Sequence, residues 1–182
     1  MTFLAPAPLY HSAPQASVNF TIRFGGTNII MERFDPENYL ALVEKYQITL
    51  SQLVPTMFSR MLKLPPETRQ RFDLSSLEFA VHAAAPCPIQ VKEQMIDWWG
   101  PIIHEFYGAT GGHGFTTCDT AEWLAHPGTV GKVIMGDLHI LDDEMQPSTP
   151  ARRARYRSRP RRSSNFSMTP NARRKPSQPT AV

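Results

Sequence analysis

Residues 77–107 read "LEFAVHAAAPCPIQVKEQMIDWWGPIIHEFY". Two short apolar runs, 77–85 and 102–107, flank an amphipathic stretch over 88–99. The runs read as strands and the stretch between them as a helix. Strand, covering helix and second strand within about thirty residues form the crossover that parallel sheets require.

The same alternation extends in both directions. Towards the N-terminus, "FLAPAPLY" (3–10) reads as the end of a strand or an extended lead-in. The segment 11–24 reads as a buried helix with Ser12 as its N-cap, and "GGTNIIM" (25–31) as a turn into a short buried strand. "DPENYLALVEKYQ" (35–47) carries the clearest helix signal. Asp35 stands at the N-cap and Pro36 at the first helical position, while Tyr39, Leu40 and Val43 share one face. "ITLSQLV" (48–54) is strand-like, and Pro55-Thr56 opens a helix that stops before Pro65-Pro66. Further on, 132–135 and 137–143 supply β segments. The predicted architecture is α/β: a partial, mostly parallel sheet flanked by helices. In such sheets ligands sit at the carboxyl ends of the strands. Two loops meet that description, "HAAAPCP" (82–88) and "YGATGGHG" (107–114).

Charge divides the chain. Ten of its 19 Lys/Arg and none of its 16 Asp/Glu fall in 151–182, so residues 1–150 carry −7 while the whole carries +3. Residues 1–150 are rich enough in large apolar residues to bury a core. Residues 151–182 form a basic segment with no periodicity, and the composition predicts disorder there. Ten positive charges without acids also permit non-specific, salt-dependent polyanion binding, but Tyr156 and Phe166 are too few for a base-stacking platform, so no specific nucleic-acid partner is expected. The two cysteines, Cys87 and Cys118, fit no metal or redox spacing and read as reduced thiols. No apolar run approaches the ~20 residues of a membrane helix, and no basic-plus-apolar leader opens the chain, which together predict a cytoplasmic protein without a membrane span.

Taken alone, Gly108-Ala109-Thr110-Gly111-Gly112 is an ambiguous loop. Its backbone N–H groups suit phosphate, yet it matches neither common phosphate fingerprint, and a plain turn fits as well. The six histidines form no HExxH pair, and adjacent His104 and Glu105 on a strand face opposite ways. The Trp98-Trp99 pair and the methionines read as core.

Six segments in register sharpen this reading. "PLYHSAP" (8–14), "GGT" (25–27), "VPTM" (54–57), "AAAPCP" (83–88), "YGAT" (107–110) and "PGTVGK" (127–132) resemble, in order and spacing, the adenylate-forming enzymes, specifically the fatty-acyl and related acyl-CoA synthetases. The resemblance covers residues 3–147. It implies ATP-dependent activation of a carboxylic (fatty) acid to an acyl-adenylate, followed by transfer to coenzyme A, with Mg²⁺ accompanying ATP. By the same resemblance Tyr107 stacks on adenine against the backbone of Ala84, Ala85 and Pro86. Gly108 is carried over with them as a nucleotide-binding residue, and Thr110 hydrogen-bonds the phosphate. His11 stands near the carboxylate, with the following helix and Gly25-Gly26 lining the acyl tunnel. Gly128 and Gly131 permit the bends of "PGTVGK".

The chain also departs from the family pattern. Gly111 stands where that pattern has a glutamate that helps hold Mg²⁺, and glycine offers no side-chain oxygen. The family's phosphate loop, its ribose-gripping aspartate and the small domain carrying its catalytic lysine have no match in these 182 residues. The expectation is an internal fragment of the large domain (1–150) that is inactive alone, with no catalytic residue assigned. Open strand edges predict low solubility unless another chain supplies the missing layers. The codon table also lets the family's Pro-Gly-Glu-x-Gly-Thr turn lie in the overlapping frame of residues 151–157. This predicts that the chain leaves an ancestral frame between about Gln146 and Ala151.

Overall fold

The structure, a computed structural model, describes residues 1–111, 114–141 and 155–159. The first strand, β1 (Thr2–Ala5), feeds helix α1 (Ser12–Arg23), which returns to β2 (Thr27–Ile30). Helix α2 (Pro36–Tyr46) then leads to β3 (Leu50–Leu53), and α3 (Pro55–Leu62) with the short α4 (Pro66–Gln70) leads to β4 (Phe79–His82). Helix α5 (Ile89–Trp99) joins β4 to β5 (Ile103–Gly108), followed by β6 (Phe115–Cys118), α6 (Thr120–Ala125) and β7 (Lys132–Met135). These strands form one sheet in the order β2-β1-β3-β4-β5-β6-β7. The five strands from β2 to β5 run parallel, and β6 and β7 extend the sheet antiparallel.

Helix α2 forms for the local reasons its sequence announces. The Asp35 carboxylate accepts the Asn38 N–H at 2.9 Å, Pro36 occupies the first turn, and Tyr39, Leu40 and Val43 are fully buried. That face joins Leu4, Phe58, Met61, Met95 and Ile103 in the main core, beneath one side of the sheet. Trp99 stacks on Tyr39 and meets Phe58 edge-on, so the tryptophan and most methionines of this region are core, as the sequence indicates.

The opposite side of the sheet is only partly covered. Phe3 and Ala5 pack on Val18 of α1, but Phe20 and Ile22 on that helix and Phe24 at its C-cap point outward. Over β4 to β6 the uncovered face carries two stacked ring pairs. Phe79 lies 4.1 Å from His104, and Phe106 4.9 Å from Phe115, between ring centres.

Several expectations change. Ser12 is the first helical residue and His11 the N-cap, because the His11 backbone is itself extended (φ −81°, ψ 142°). Helix α1 is half-covered rather than buried, since only Pro14, Val18 and Thr21 turn inward. The strand at 27–30 lies at the sheet edge with Ile30 half-exposed, because the chain reverses direction at β1. The 77–85 strand stops at His82, where Ala84 turns to a positive φ of 74°. Elements α4, β6 and α6 were not foreseen. In the basic segment, Arg155–Arg159 pairs antiparallel with β8 (Asp137–Leu141) as β9. A backbone ladder does not require apolar side chains. Residues 142–154 and 160–182 lie outside the described residues, including the proposed frame change and most of the predicted disordered segment. Among the described residues no helix is long and apolar enough to cross a membrane.

Candidate functional site

The chain steps from β1 outward to β2, then crosses back to β3 on the other side of β1. Such a reversal opens a crevice at the carboxyl ends of the strands. Three loops rise there: 6–11 after β1, 83–88 after β4, and the turn after β5 that begins at Ala109.

The first loop ends at His11, an exposed residue whose ring lies 4.4 Å from that of Tyr10. His11 caps α1 through its backbone alone. The first turn of α1 contains no acid and no side-chain cap, so its N–H groups have no built-in anion. The Ser12 and Thr110 hydroxyls lie 3.2 Å apart, within hydrogen-bond reach. Because β5 stands three strands from β1, the turn after β5 and the 6–11 loop together span the gap above β3 and β4 to make this contact. Sequence reading found Thr110 but missed its partner, since only topology brings residues 98 positions apart together.

Tyr107 sits near the end of β5, half-buried, and burial raises its phenol above the ordinary range. Strands β4 and β5 are neighbours with His82 opposite Glu105, so the loop bearing exposed Ala84, Ala85 and Pro86 rises beside Tyr107. Ala84 holds a left-handed backbone, which costs an alanine on the order of 1–2 kcal/mol. Strain of this kind persists only where the surroundings enforce it, and it collects at ligand loops.

Gly108 is tightly enclosed: an added Cβ would meet the Phe115 ring at 2.9 Å. Gly25 and Gly26 are found elsewhere. They lie at the far end of α1 beside Met1, where Gly25 has a φ of +73° and a Cβ on Gly26 would stand 2.8 Å from Thr21. Twelve helical residues separate them from His11, about 18 Å of rise. The structure therefore groups His11, Ser12 and Thr110 at one end, with Tyr107 and 84–86 close by, and sets the two glycines apart. Gly111 is an exposed turn residue, and among the described residues no three His, Cys, Asp or Glu side chains are arranged to hold a metal ion. These residues do not fit a side-chain-ligated Mg²⁺ at this loop.

Beneath the loops is a buried polar cluster that sequence reading missed. Lys92 of α5 donates to the Glu105 carboxylate at 2.6 Å, with the lysine side chain wholly buried. His82 Nε2 lies 3.4 Å from the same oxygen, and neither imidazole nitrogen has a hydrogen-bond partner. Burial, aided by the Lys92 charge, lowers the His82 pKa to about 3, so this ring is neutral. The detectable signal was a lysine within the helix at 88–99 and a glutamate within the strand at 102–107.

Cys87 and Cys118 are free thiols at the margin of this cluster. Burial pushes both up to about 11. At pH 8 iodoacetamide should label them about 100-fold more slowly than ordinary thiols, and unfolding in urea should abolish the difference. Mass spectrometry of timed aliquots reads this directly; rapid native labelling contradicts the burial. Two surface hollows of about 330 and 380 Å³ lie away from all three loops, sharing Arg69, Gln70 and Trp98.

Comparison with known proteins places the arrangement in context. A medium/long-chain-fatty-acid–CoA ligase of Mycobacterium tuberculosis is 37% identical over 107 residues, covering 58% of this chain and 18% of the relative. A long-chain-fatty-acid–CoA ligase of Bacillus subtilis is 28% identical, covering 70% and 23%. A 4-coumarate–CoA ligase-like protein of Oryza sativa subsp. japonica is 32% identical, covering 80% and 26%. The chain thus spans about a quarter or less of these relatives' length. Among solved structures, the amide bond synthetase McbA of Marinactinospora thermotolerans superposes with a TM-score of 0.73 at 23% identity, covering 83% of this chain and 31% of that one. The o-succinylbenzoate CoA synthetase of Bacillus subtilis, solved with its acyl-adenylate, gives 0.69 at 19%, covering 85% and 31%. At these identities the structural likeness speaks for the fold. The family model described as AMP-binding enzyme matches residues 1–153, and with that match the chain belongs to the AMP-binding enzyme family.

Proposed function

We propose that this chain carries an acyl-adenylate-binding part of an ATP-dependent acyl-CoA ligase acting on fatty acids. In this reading the adenine ring stacks on Tyr107 and rests against the backbone of Ala84, Ala85 and Pro86. The phosphate meets the Thr110 hydroxyl and the uncapped first turn of α1, where N–H groups and the helix dipole favour an anion. The acid's carboxylate enters beside His11, and its chain runs along α1 towards Gly25-Gly26. The observation that carries the proposal is the Ser12–Thr110 contact, which joins the loop after β5 to the N-terminal turn of α1. The names of the two bacterial ligases above support a fatty acid as the substrate.

The same reading assigns the open face over β4 to β6 to other parts of such a ligase, or to another chain that supplies them. It also holds that the 182-residue chain alone does not turn over. Gly111 brings no side-chain oxygen to Mg²⁺, and the chain spans only 18–26% of the ligases named above.

Isothermal titration with AMP tests the nucleotide assignment. Binding is expected, and Tyr107→Ala should weaken it by about tenfold, the scale of one base–aromatic stack. Absence of heat, or a Tyr107→Ala variant that binds as well as the parent, overturns it. ATP–pyrophosphate exchange with a panel of fatty acids should stay at background, also for Gly111→Glu; robust exchange overturns the assignment of inactivity.

A further inference from the structure

We propose that the buried pair Lys92–Glu105 is a positioning element that ties α5 to β5 and thereby sets the spacing between the 83–88 loop and the Tyr107 loop. The proposal rests on the nucleotide reading above for its functional meaning, since that spacing is the width of the proposed adenine slot.

Placement makes the case. Glu105 precedes Tyr107 by two residues on the same face of β5. Lys92 lies in the first turn of α5, directly after the 83–88 loop. His82 closes β4 immediately before that loop. The bond at 2.6 Å therefore connects the strand that carries one wall of the slot to the helix that continues the other. The Trp123 ring of α6, 5.0 Å from Nζ, holds the ammonium from the remaining side.

Stability alone does not explain the pair. Burying an ammonium and a carboxylate is costly, and apolar residues of equal volume commonly serve a core as well or better. Apolar contacts, however, tolerate sliding along their surface, whereas a charged hydrogen bond fixes both distance and direction. His82 accepts no such bond, and stays a neutral neighbour of the carboxylate.

Two variants of the 182-residue chain separate positioning from folding. Lys92→Met/Glu105→Leu removes the bond and both charges together. Lys92→Gln/Glu105→Gln removes both charges while keeping an amide donor and an acceptor between α5 and β5. The readout is amide hydrogen exchange by mass spectrometry. In the apolar variant, exchange over 84–88 and 107–111 should rise about tenfold while residues 39–43 stay at the parent rate, a local opening rather than a global one. The glutamine pair should keep both loops near the parent rate, because it keeps a directed bond and strands no buried charge. Where the parent binds AMP, the apolar variant should bind it about tenfold more weakly; where it does not, the nucleotide reading fails and the exchange pattern still decides the positioning role. An apolar variant that loses its helical circular dichroism, or whose loops exchange at the parent rate, overturns the proposal.

Discussion

Gly131→Ala should unfold the antiparallel end of the sheet and cost about 3–5 kcal/mol, the sum of a left-handed backbone penalty and a severe overpacking term. Gly131 has a φ of +83°, and a Cβ there would drive into the Thr117 carbonyl and the Cys118 side chain. Neither neighbour can withdraw. Thr117 pairs with Lys132 in the β6–β7 ladder, and Cys118 is buried opposite Glu105. The Thr116 hydroxyl also donates to the Val130 carbonyl at 2.7 Å, clamping the turn from its other side. Against a typical domain stability of about 5–15 kcal/mol, a loss of this size should be visible as a fall in urea midpoint. Gly25→Ala is the control. It shares the positive φ but meets nothing within 4 Å, so it should cost only about 1–2 kcal/mol. Equal losses in the two variants would show that close packing at Gly131 contributes nothing.

Acid should destabilise the chain through His82. The ring is neutral in the fold, with its pKa lowered from 6.5 to about 3 by burial and then by the charge of Lys92. The unfolded chain therefore binds the extra proton between those two values, and stability falls as pH drops from 6.5 towards 3. Between pH 7 and pH 4 the loss should be about 3 kcal/mol from this residue alone. Asp73, held low by the Ser75 N–H, adds in the same direction at still lower pH. His82→Leu should keep the apolar contact with Phe58, whose ring meets His82 edge-on at 5.4 Å, and should flatten the pH dependence. Denaturation midpoints at pH 7 and pH 4 for parent and variant decide the matter; identical acid losses in both would clear His82 of any role.

Much of the fold was legible because its signals are local. Asp35, Pro36 and the Tyr39–Leu40–Val43 face specify α2 within one window, and the observed helix follows them. Elements missed were those that depend on neighbours. Strand β6 is only four residues, "FTTC", and exists because β5 and β7 flank it. Helix α6 spans six residues with a single large buried side chain, Trp123, too short for periodicity to register. Its Asp119 cap, accepting from the Glu122 N–H at 2.7 Å, was the available clue. The end of β4 was misjudged because alanine rarely adopts the backbone that Ala84 holds.

The candidate site was legible in proportion to its dependence on local breaks. The glycine-rich stop after Tyr107 and the end of the first loop at His11 mark themselves. That Thr110 reaches Ser12, or that Gly25 and Gly26 lie a helix length from His11, follows only from strand order. Lys92 and Glu105 stayed hidden because charged residues are ordinarily read as surface; here they are interior.

The change of strand direction at β6 has a kinetic consequence. The loop carrying Tyr107 and Thr110 belongs to a hairpin, a connection that closes locally and fast, whereas β1 finds β3 only across 47 residues, as in the Ser51 hydroxyl bond to the Leu4 carbonyl. Refolding should therefore assemble the Tyr107 arm before the His11 arm. Pulse-labelled exchange should protect the β5–β6 amides ahead of those of β1, and the reverse order would refute this sequence of events. The two halves of one crevice would then be born at different times, the Tyr107 side waiting for the His11 side to arrive.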